Sequence, residues 1–407
     1  MPRVVTCFLR HRTAVLLGRR SDAVGTYAGC WAGISGYVEG GQIDAEDDAR
    51  REIREETGVD DAELVRAGDP VEVRDSDRTW TVHPFLFEVA SRDIEPNEEI
   101  AVHEWVSPPA IRDRVTVPGL WDAYAAVAPT VETVTNDGTH GSAWISVRAL
   151  EVLRDRAAVA DSAEALVAVA RELRDARPAM AALANRVNRV LSEADRTPEA
   201  IAERAQAAAE AAFDADDAAA TLAAERCGAS VATLSRSGTV LAALRDADPS
   251  VLIGESRPAC EGTGVAAELA DDGLTVTLTT DAALAGELAA RAPDSVLVGA
   301  DAILADGSVV NKAGTRGLAL AAAREGVPTY VVAAADKVRP DEAFHGETGD
   351  VTDLYDGDAP VTVANPIFDR TPGDLVSAVF TERGALDSEA IRAVAAEHRK
   401  NADWERE

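Results

Sequence analysis

Apolar and polar residues follow three different rhythms along this 407-residue chain. Near the N-terminus, two short apolar runs flank a polar turn at His11-Arg12, and Trp80 to Glu88 alternates in steps of two. These predict strands, with another at Val102 to Val106. Ala45 to Thr57 has helical spacing, with Asp44 placed to cap it and Gly58 to stop it, and Leu120 to Val127 predicts a closing helix. From Val131 to Arg226 nearly every position fits a helical period, broken at Pro178 and Pro198, which predicts three or four amphipathic helices. Beyond Cys227, apolar runs at Ala229 to Leu234, Val251 to Gly254, Leu274 to Thr279, Val296 to Gly299 and Thr329 to Ala333 alternate with helical patterns. That rhythm predicts a parallel sheet. Asp387 to Glu407 reads as a charged helix carrying Trp404.

The net charge is −31, and the lysines are only Lys312, Lys337 and Lys400. An acidic, lysine-poor surface suits concentrated salt, where screening shortens the reach of self-repulsion. It argues against nucleic-acid binding through a basic face. Cys7, Cys30, Cys227 and Cys260 show neither metal-ligand spacing nor a secreted disulfide framework. No apolar run approaches the roughly 18 residues of a membrane span, and the first residues lack a signal-peptide cleavage site. A cytoplasmic protein is expected.

On the Ala45 to Thr57 helix, Glu52, Glu55 and Glu56 stand at i, i+3 and i+4 and share one face. Like charges so clustered cost stability unless neutralised, and a hard divalent cation with oxygen ligands would neutralise them. The run GYVEGGQIDAEDDARREIREETGVD, Gly36 to Asp60, resembles the Nudix box, G-x5-E-x7-R-E-U-x-E-E-x-G-U, where U is a bulky aliphatic residue. Arg51, Glu52, Ile53, Glu55, Glu56, Gly58 and Val59 match its second half. The first half departs: Gln42 stands at the box glutamate, and the spacer to Arg51 is one residue longer. The resemblance implies Mg2+ or Mn2+ held by Glu52, Glu55 and Glu56, which then act in the splitting of a diphosphate by water. Glu39 and the Glu98-Glu99 pair are outlying candidates. Gln42 cannot carry a carboxylate's charge, so the departure bears on catalysis more than on fold.

In the second half, Ser295 to Thr315 (SVLVGADAILADGSVVNKAGT) predicts a buried strand ending at Asp301, then a loop presenting Asn311 and Lys312. Ligands of open α/β sheets bind beyond the carboxyl ends of the strands, so a pocket for an anionic small molecule is expected. The groups after the five strands are Ser235-Arg236-Ser237, Glu255-Ser256-Arg257-Pro258, Asp281, Asp301 and Asp336-Lys337. Parallel strands would line them along one crevice. The Gly141-Ser142-Ala143 loop could cradle a phosphate with backbone N–H groups, and a helix-entry turn explains it equally well.

ESRPACEG, TDAA, GADAILADGSVVNKAGT and NPIFDRTP resemble, in order, the motifs of the translation initiation factor 2B alpha/beta/delta-related family. That family also contains methylthioribose-1-phosphate isomerase and archaeal ribose-1,5-bisphosphate isomerase, and the resemblance runs from about Asp137 to Glu382. It implies that Asp301 is the aspartate of a cysteine–aspartate proton-transfer pair, that Asn311 and Lys312 hold substrate oxygens or phosphate, and that Arg257 binds a phosphate. The cysteine's position holds Ser235. A serine hydroxyl titrates far above a thiol's value of about 8.5 and would need an adjacent base, which Leu234 does not supply.

These readings predict an α/β multidomain protein: a Nudix α/β/α sandwich over 1–129, a helical bundle over 130–226, a Rossmann-like parallel sheet over 227–386 and a helical tail over 387–407. Expected partners are a phosphorylated small molecule, a nucleotide or sugar phosphate, and further copies of the chain, most simply in a dimer through the C-terminal domain. The expected activity is metal-dependent hydrolysis of a nucleoside-diphosphate-linked substrate, the C-terminal domain binding its phosphorylated ligand. A non-catalytic initiation-factor-2B-like regulator and an aldose–ketose isomerase are the alternatives.

Overall fold

The structure, a computed structural model, describes residues 2–39, 45–75 and 78–405. The chain divides into two compact units, Met1–Thr130 with Arg154–Val159 and Val131–Leu153 with Ala160–Glu407. Gln42 and Asp44, the departing box position and the expected cap, lie outside the described residues.

In the first unit the strand Arg3–His11 pairs antiparallel with Ala14–Arg20 and parallel with Arg78–Glu88. Glu63–Ala67 and Val71–Asp75 add to the latter, and Ile100–Val106 adds to Ala14–Arg20. Successive side chains of a strand point to opposite faces, so Val5, Cys7 and Leu9 line one face while Phe8 lines the other. The helix Ala45–Thr57 covers the first face with Ala49 and Ile53. Leu120, Ala123, Tyr124 and Val127 cover the second. The helix ends at Thr57, as its pattern predicts.

The second unit opens with the short helix Val131–Asn136 and continues with Ser142–Ala157, counted with the first unit from Arg154, then Ala163–Ala176, Ala181–Glu193 and Pro198–Ala224. Pro198 opens the longest of them rather than breaking one: the first-turn N–H has no helical partner to lose, and Thr197 accepts a hydrogen bond from the Ala200 N–H at 3.2 Å. A seven-stranded sheet follows, in the order Val276–Thr279, Ser250–Gly254, Ser230–Thr233, Ser295–Val298, Thr329–Val332, Ala378–Thr381, Gly384–Leu386. All neighbours are parallel except the last pair. The last helix, Ser388–Asn401, leads to a buried Trp404 whose Nε1 donates to Asn188 Oδ1 at 2.8 Å, so the tail is docked. No helix among the described residues is long and apolar enough to cross a membrane.

A buried ion network joins the helices to the sheet. Asp336, just beyond the strand Thr329–Val332, accepts from Arg186 Nε at 2.9 Å and from Arg189 at 2.6 and 3.0 Å. Asn185 donates to the main-chain carbonyls of Asp336 and Val338, both at 2.8 Å. Burial alone would push the Asp336 carboxyl up, but the two guanidiniums outweigh it and hold it well below the usual carboxylate range. Removing one partner of such a pair leaves the other charge buried.

Asp336→Asn is therefore expected to cost about 3–5 kcal/mol in urea unfolding. The native carboxyl titrates lower than the unfolded one, at about 3.9, so its stabilisation is complete above that pH and fades as acid approaches the native value. The variant should lack this acid-induced fading; an identical acid limb in both proteins would refute the account.

Candidate functional sites

The helix Ala45–Thr57 brings Glu52 and Glu55 to a cavity of about 640 Å³ whose lining also includes Glu39 and Glu99. Gly36 makes room there: a Cβ on it would sit 1.9 Å from the Glu52 carboxyl. Arg51 holds Asp48 at 2.6 Å and Glu52 at 2.8 Å. Burial pushes the Glu52 carboxyl up, with Glu55 and Glu99 adding to it and Arg51 opposing. Glu56 lies deeper and accepts from the Ser35 N–H at 3.0 Å. Its burial, reinforced by Glu99 and Glu52, pushes its pKa up to about 8. Glu55 is exposed. Among the described residues no three His, Cys, Asp or Glu side chains stand in a metal-ligand arrangement; one Glu52 oxygen is taken by Arg51.

The cavity's other walls include Tyr27, Tyr37, Trp80, Arg20 and Arg78. The rings of Tyr37 and Trp80 are 6.2 Å apart, and the Tyr27 hydroxyl donates to Asp75 at 2.7 Å. Sequence reasoning missed this wall because Trp80 reads as an ordinary inward position of an alternating strand.

In the second unit the strands Ser230–Thr233 and Ser295–Val298 are neighbours, so Ser235 and Asp301 emerge from adjacent strand ends. The Asp301 N–H donates to the Val310 carbonyl at 2.9 Å, which ties it to the strand Val309–Lys312. Lys312 reaches Glu261, Nζ to Oε1 at 2.8 Å, and Ser235 Oγ donates to the same oxygen at 3.0 Å. Glu261 Oε2 is buried and accepts no hydrogen bond. Lys337 is buried nearby; burial lowers its pKa, against the pull of Asp216 and Asp301.

Two serines hold left-handed backbone, Ser235 at φ 67° and Ser256 at φ 65°, a conformation costing on the order of 1–3 kcal/mol for a non-glycine residue. Surrounding bonds impose it. The Ser235 N–H donates to Ser256 Oγ at 2.6 Å, and Asp281 accepts from the N–H groups of Ser256 and Arg257 at 2.8 and 2.7 Å. The helix Glu261–Asp271 then starts hard against this turn: a Cβ on Gly262 would lie 2.0 Å from the Gly254 carbonyl oxygen.

Ser235 and Lys312 thus meet on Glu261, and Asp301 is tied through its main chain to the strand Val309–Lys312. Arg257 is exposed and donates to the Asp353 carbonyl at 2.9 Å. The buried Asn311 amide donates to Thr315 Oγ1 at 3.0 Å. Gly141 is an exposed helix-entry residue whose carbonyl accepts from the Ile145 N–H. Glu261 was legible in the ESRPACEG motif, but nothing local marks its partners.

The family model described as the Initiation factor 2 subunit family matches residues 138–388, and that described as the NUDIX domain matches residues 1–127. The methylthioribose-1-phosphate isomerase of Heliobacterium modesticaldum is 37% identical over 188 residues, covering 42% of this chain and 54% of the relative. The ribose 1,5-bisphosphate isomerase of Haloferax volcanii is 41% identical over 150 residues, covering 34% and 46%. The chain spans about half the length of these curated relatives. Among solved structures, the translation initiation factor eIF-2B of Pyrococcus horikoshii OT3 superposes with a TM-score of 0.57 at 29% identity, covering 63% of this chain and 94% of that one. The 5-methylthioribose 1-phosphate isomerase of the same organism shares the fold, with a TM-score of 0.55 at 22% identity, covering 66% and 86%. The chain therefore belongs to the Initiation factor 2 subunit family, and carries a NUDIX domain ahead of that region.

Proposed function

We propose that the first unit is a metal-dependent hydrolase of a nucleoside-diphosphate-linked substrate, and that the second binds a phosphorylated sugar or nucleotide. The observation that carries the first part is the cavity itself. Its lining combines carboxylates, aromatic rings and two arginines, a combination suited to a cation-bound diphosphate and a stacked base. A NUDIX domain implies dependence on a divalent cation. The donor chemistry fits: oxygen ligands suit Mg2+ or Mn2+, and burial pushes the Glu56 carboxyl up to about 8, so that it stays protonated near neutrality without a cation to compensate its charge. Glu52, Glu55 and Glu56 would hold the ion, with Glu52 turning from Arg51, and the bound ion would supply Lewis-acid stabilisation and an activated water. Tyr37 and Trp80 would orient the base, and Arg20 or Arg78 the phosphates.

Support for a phosphorylated ligand in the second unit comes from the sugar-phosphate isomerases to which it is similar. Methylthioribose 1-phosphate and ribose 1,5-bisphosphate are the ligands to try first. The division at residues 129, 226 and 386 into a Nudix sandwich, a helical bundle, a Rossmann-like sheet and a tail belongs to the same proposal, as does self-association through the second unit.

A Mg2+-dependent release of phosphate or nucleotide from a panel of nucleotide sugars and dinucleotides is expected, falling at least about 100-fold in Glu55→Gln and in Glu56→Gln. Full activity in both variants would overturn the assignment. Because Glu56 is protonated below about 8 in the metal-free protein, ion binding must expel that proton. Divalent-ion affinity should rise with pH and level off above about 8, with calorimetry in two buffers reading the proton released. The same raised pKa means that the metal-free fold loses stability as pH climbs from the unfolded glutamate's value, about 4.3, towards 8. Melting temperatures of native and Glu56→Gln protein should converge on acidification.

A further inference from the structure

We propose that Glu261 is a charge selector in the second unit: by cancelling the charge of Lys312 it reserves that position for a sugar hydroxyl and turns away a phosphate, so that the unit takes a pentose with one phosphate in preference to a bisphosphate. This rests on the reading that the unit takes a phosphorylated sugar, and it settles on one of the two roles, substrate oxygens or phosphate, that the sequence leaves to Lys312. Lysine is scarce, with three in a chain of net charge −31, and an unpaired ammonium would be a strong anion site. Lys312 is not unpaired. Its Nζ lies 2.8 Å from Glu261 Oε1, and Ser235 Oγ donates to the same oxygen at 3.0 Å. The side chains of Lys312 and Glu261 are only 16% and 18% exposed, so dissolved salt screens the pair weakly.

The carboxylate cannot readily withdraw. Glu261 leads the helix Glu261–Asp271, whose start is wedged against the preceding turn: a Cβ on Gly262 would lie 2.0 Å from the Gly254 carbonyl oxygen. That turn is held in place by Asp281, which accepts from the N–H groups of Ser256 and Arg257. The Ser235 N–H donates to Ser256 Oγ, so the residue whose hydroxyl holds Glu261 is itself tied to the turn. A phosphomonoester carries a charge of about −1.5 to −2 at pH 7. Set against Lys312, it would stand beside a carboxylate of the same sign, and such a juxtaposition opposes binding. A hydroxyl brings no charge. It can accept from another N–H of the ammonium, which has three to donate, while the pair with Glu261 stays intact. The ligand's one phosphate must find its cation elsewhere, and rejection of a second sets the preference.

The test measures binding of ribose 1-phosphate and ribose 1,5-bisphosphate, which differ by one phosphate, to the full chain in concentrated salt, by calorimetry and thermal shift. The native protein should bind the monophosphate at least about 10-fold tighter. Glu261→Gln keeps the side chain's shape and removes its charge; it should move the ratio of the two affinities at least about 10-fold towards the bisphosphate. Glu261→Asp keeps the charge and should keep a preference for the monophosphate, which a merely structural role would not require. Lys312→Gln should weaken the monophosphate. Equal or tighter binding of the bisphosphate by the native protein would overturn the proposal, whether or not the variants fold. So would an unchanged ratio in Glu261→Gln, or monophosphate binding indifferent to Lys312→Gln. No binding of either sugar phosphate by any form would sink the reading beneath it as well.

Discussion

The second unit depends on a charge taken out of water. Asp336 sits at the end of a central strand with two arginines of one helix on its carboxylate and a neighbouring asparagine on its main chain. Desolvating these groups is expensive, and the cost is offset by the charge-assisted hydrogen bonds that both arginines donate to the carboxylate, although Arg186 Nη2 makes none. The geometry is consequently specific. The helix Ala181–Glu193 cannot slide along the sheet without stranding a buried ion. That fixes the chain just beyond the strand Thr329–Val332, where Lys337 follows directly in sequence and feels the charge of Asp301.

A similar economy governs the turns after two neighbouring strands. Asp281 holds two consecutive N–H groups of the turn after Ser250–Gly254, Ser256 holds the turn after Ser230–Thr233, and the helix bearing Glu261 starts against both. The strain of two left-handed serines is spread over this network, and what it achieves is placement: a carboxylate, a hydroxyl and an ammonium meet with little freedom to rearrange. Sites held this way lose little entropy when a ligand arrives.

The first unit handles charge differently. Burial, with neighbouring carboxylates adding to it, pushes the Glu52 and Glu56 carboxyls up, so the strain appears in protonation rather than in bent backbone. Arg51 relieves part of it by holding Glu52. A bound cation would complete the compensation, whereas the Glu261 cluster is held by the protein's own hydrogen bonds.

Local pattern determined much of this in advance. The helix Ala45–Thr57, the alternating strand from Trp80 to Glu88, and five strands of a parallel sheet are written in spacing, because burial selects the period of apolar residues. The likeness to both families was equally legible in short runs such as REIREETGV and GADAILADGSVVNKAGT. Pro198 shows where the local rule was incomplete: the same residue that breaks a helix interior is welcome in its first turn, and the Thr197 cap decides between the two. What tertiary structure alone decided is partnership across distance. Ser235 and Glu261 lie 26 residues apart on different elements, and Asp336 finds arginines about 150 positions away. No periodicity encodes such meetings, since they follow from which strand ends the sheet order brings side by side.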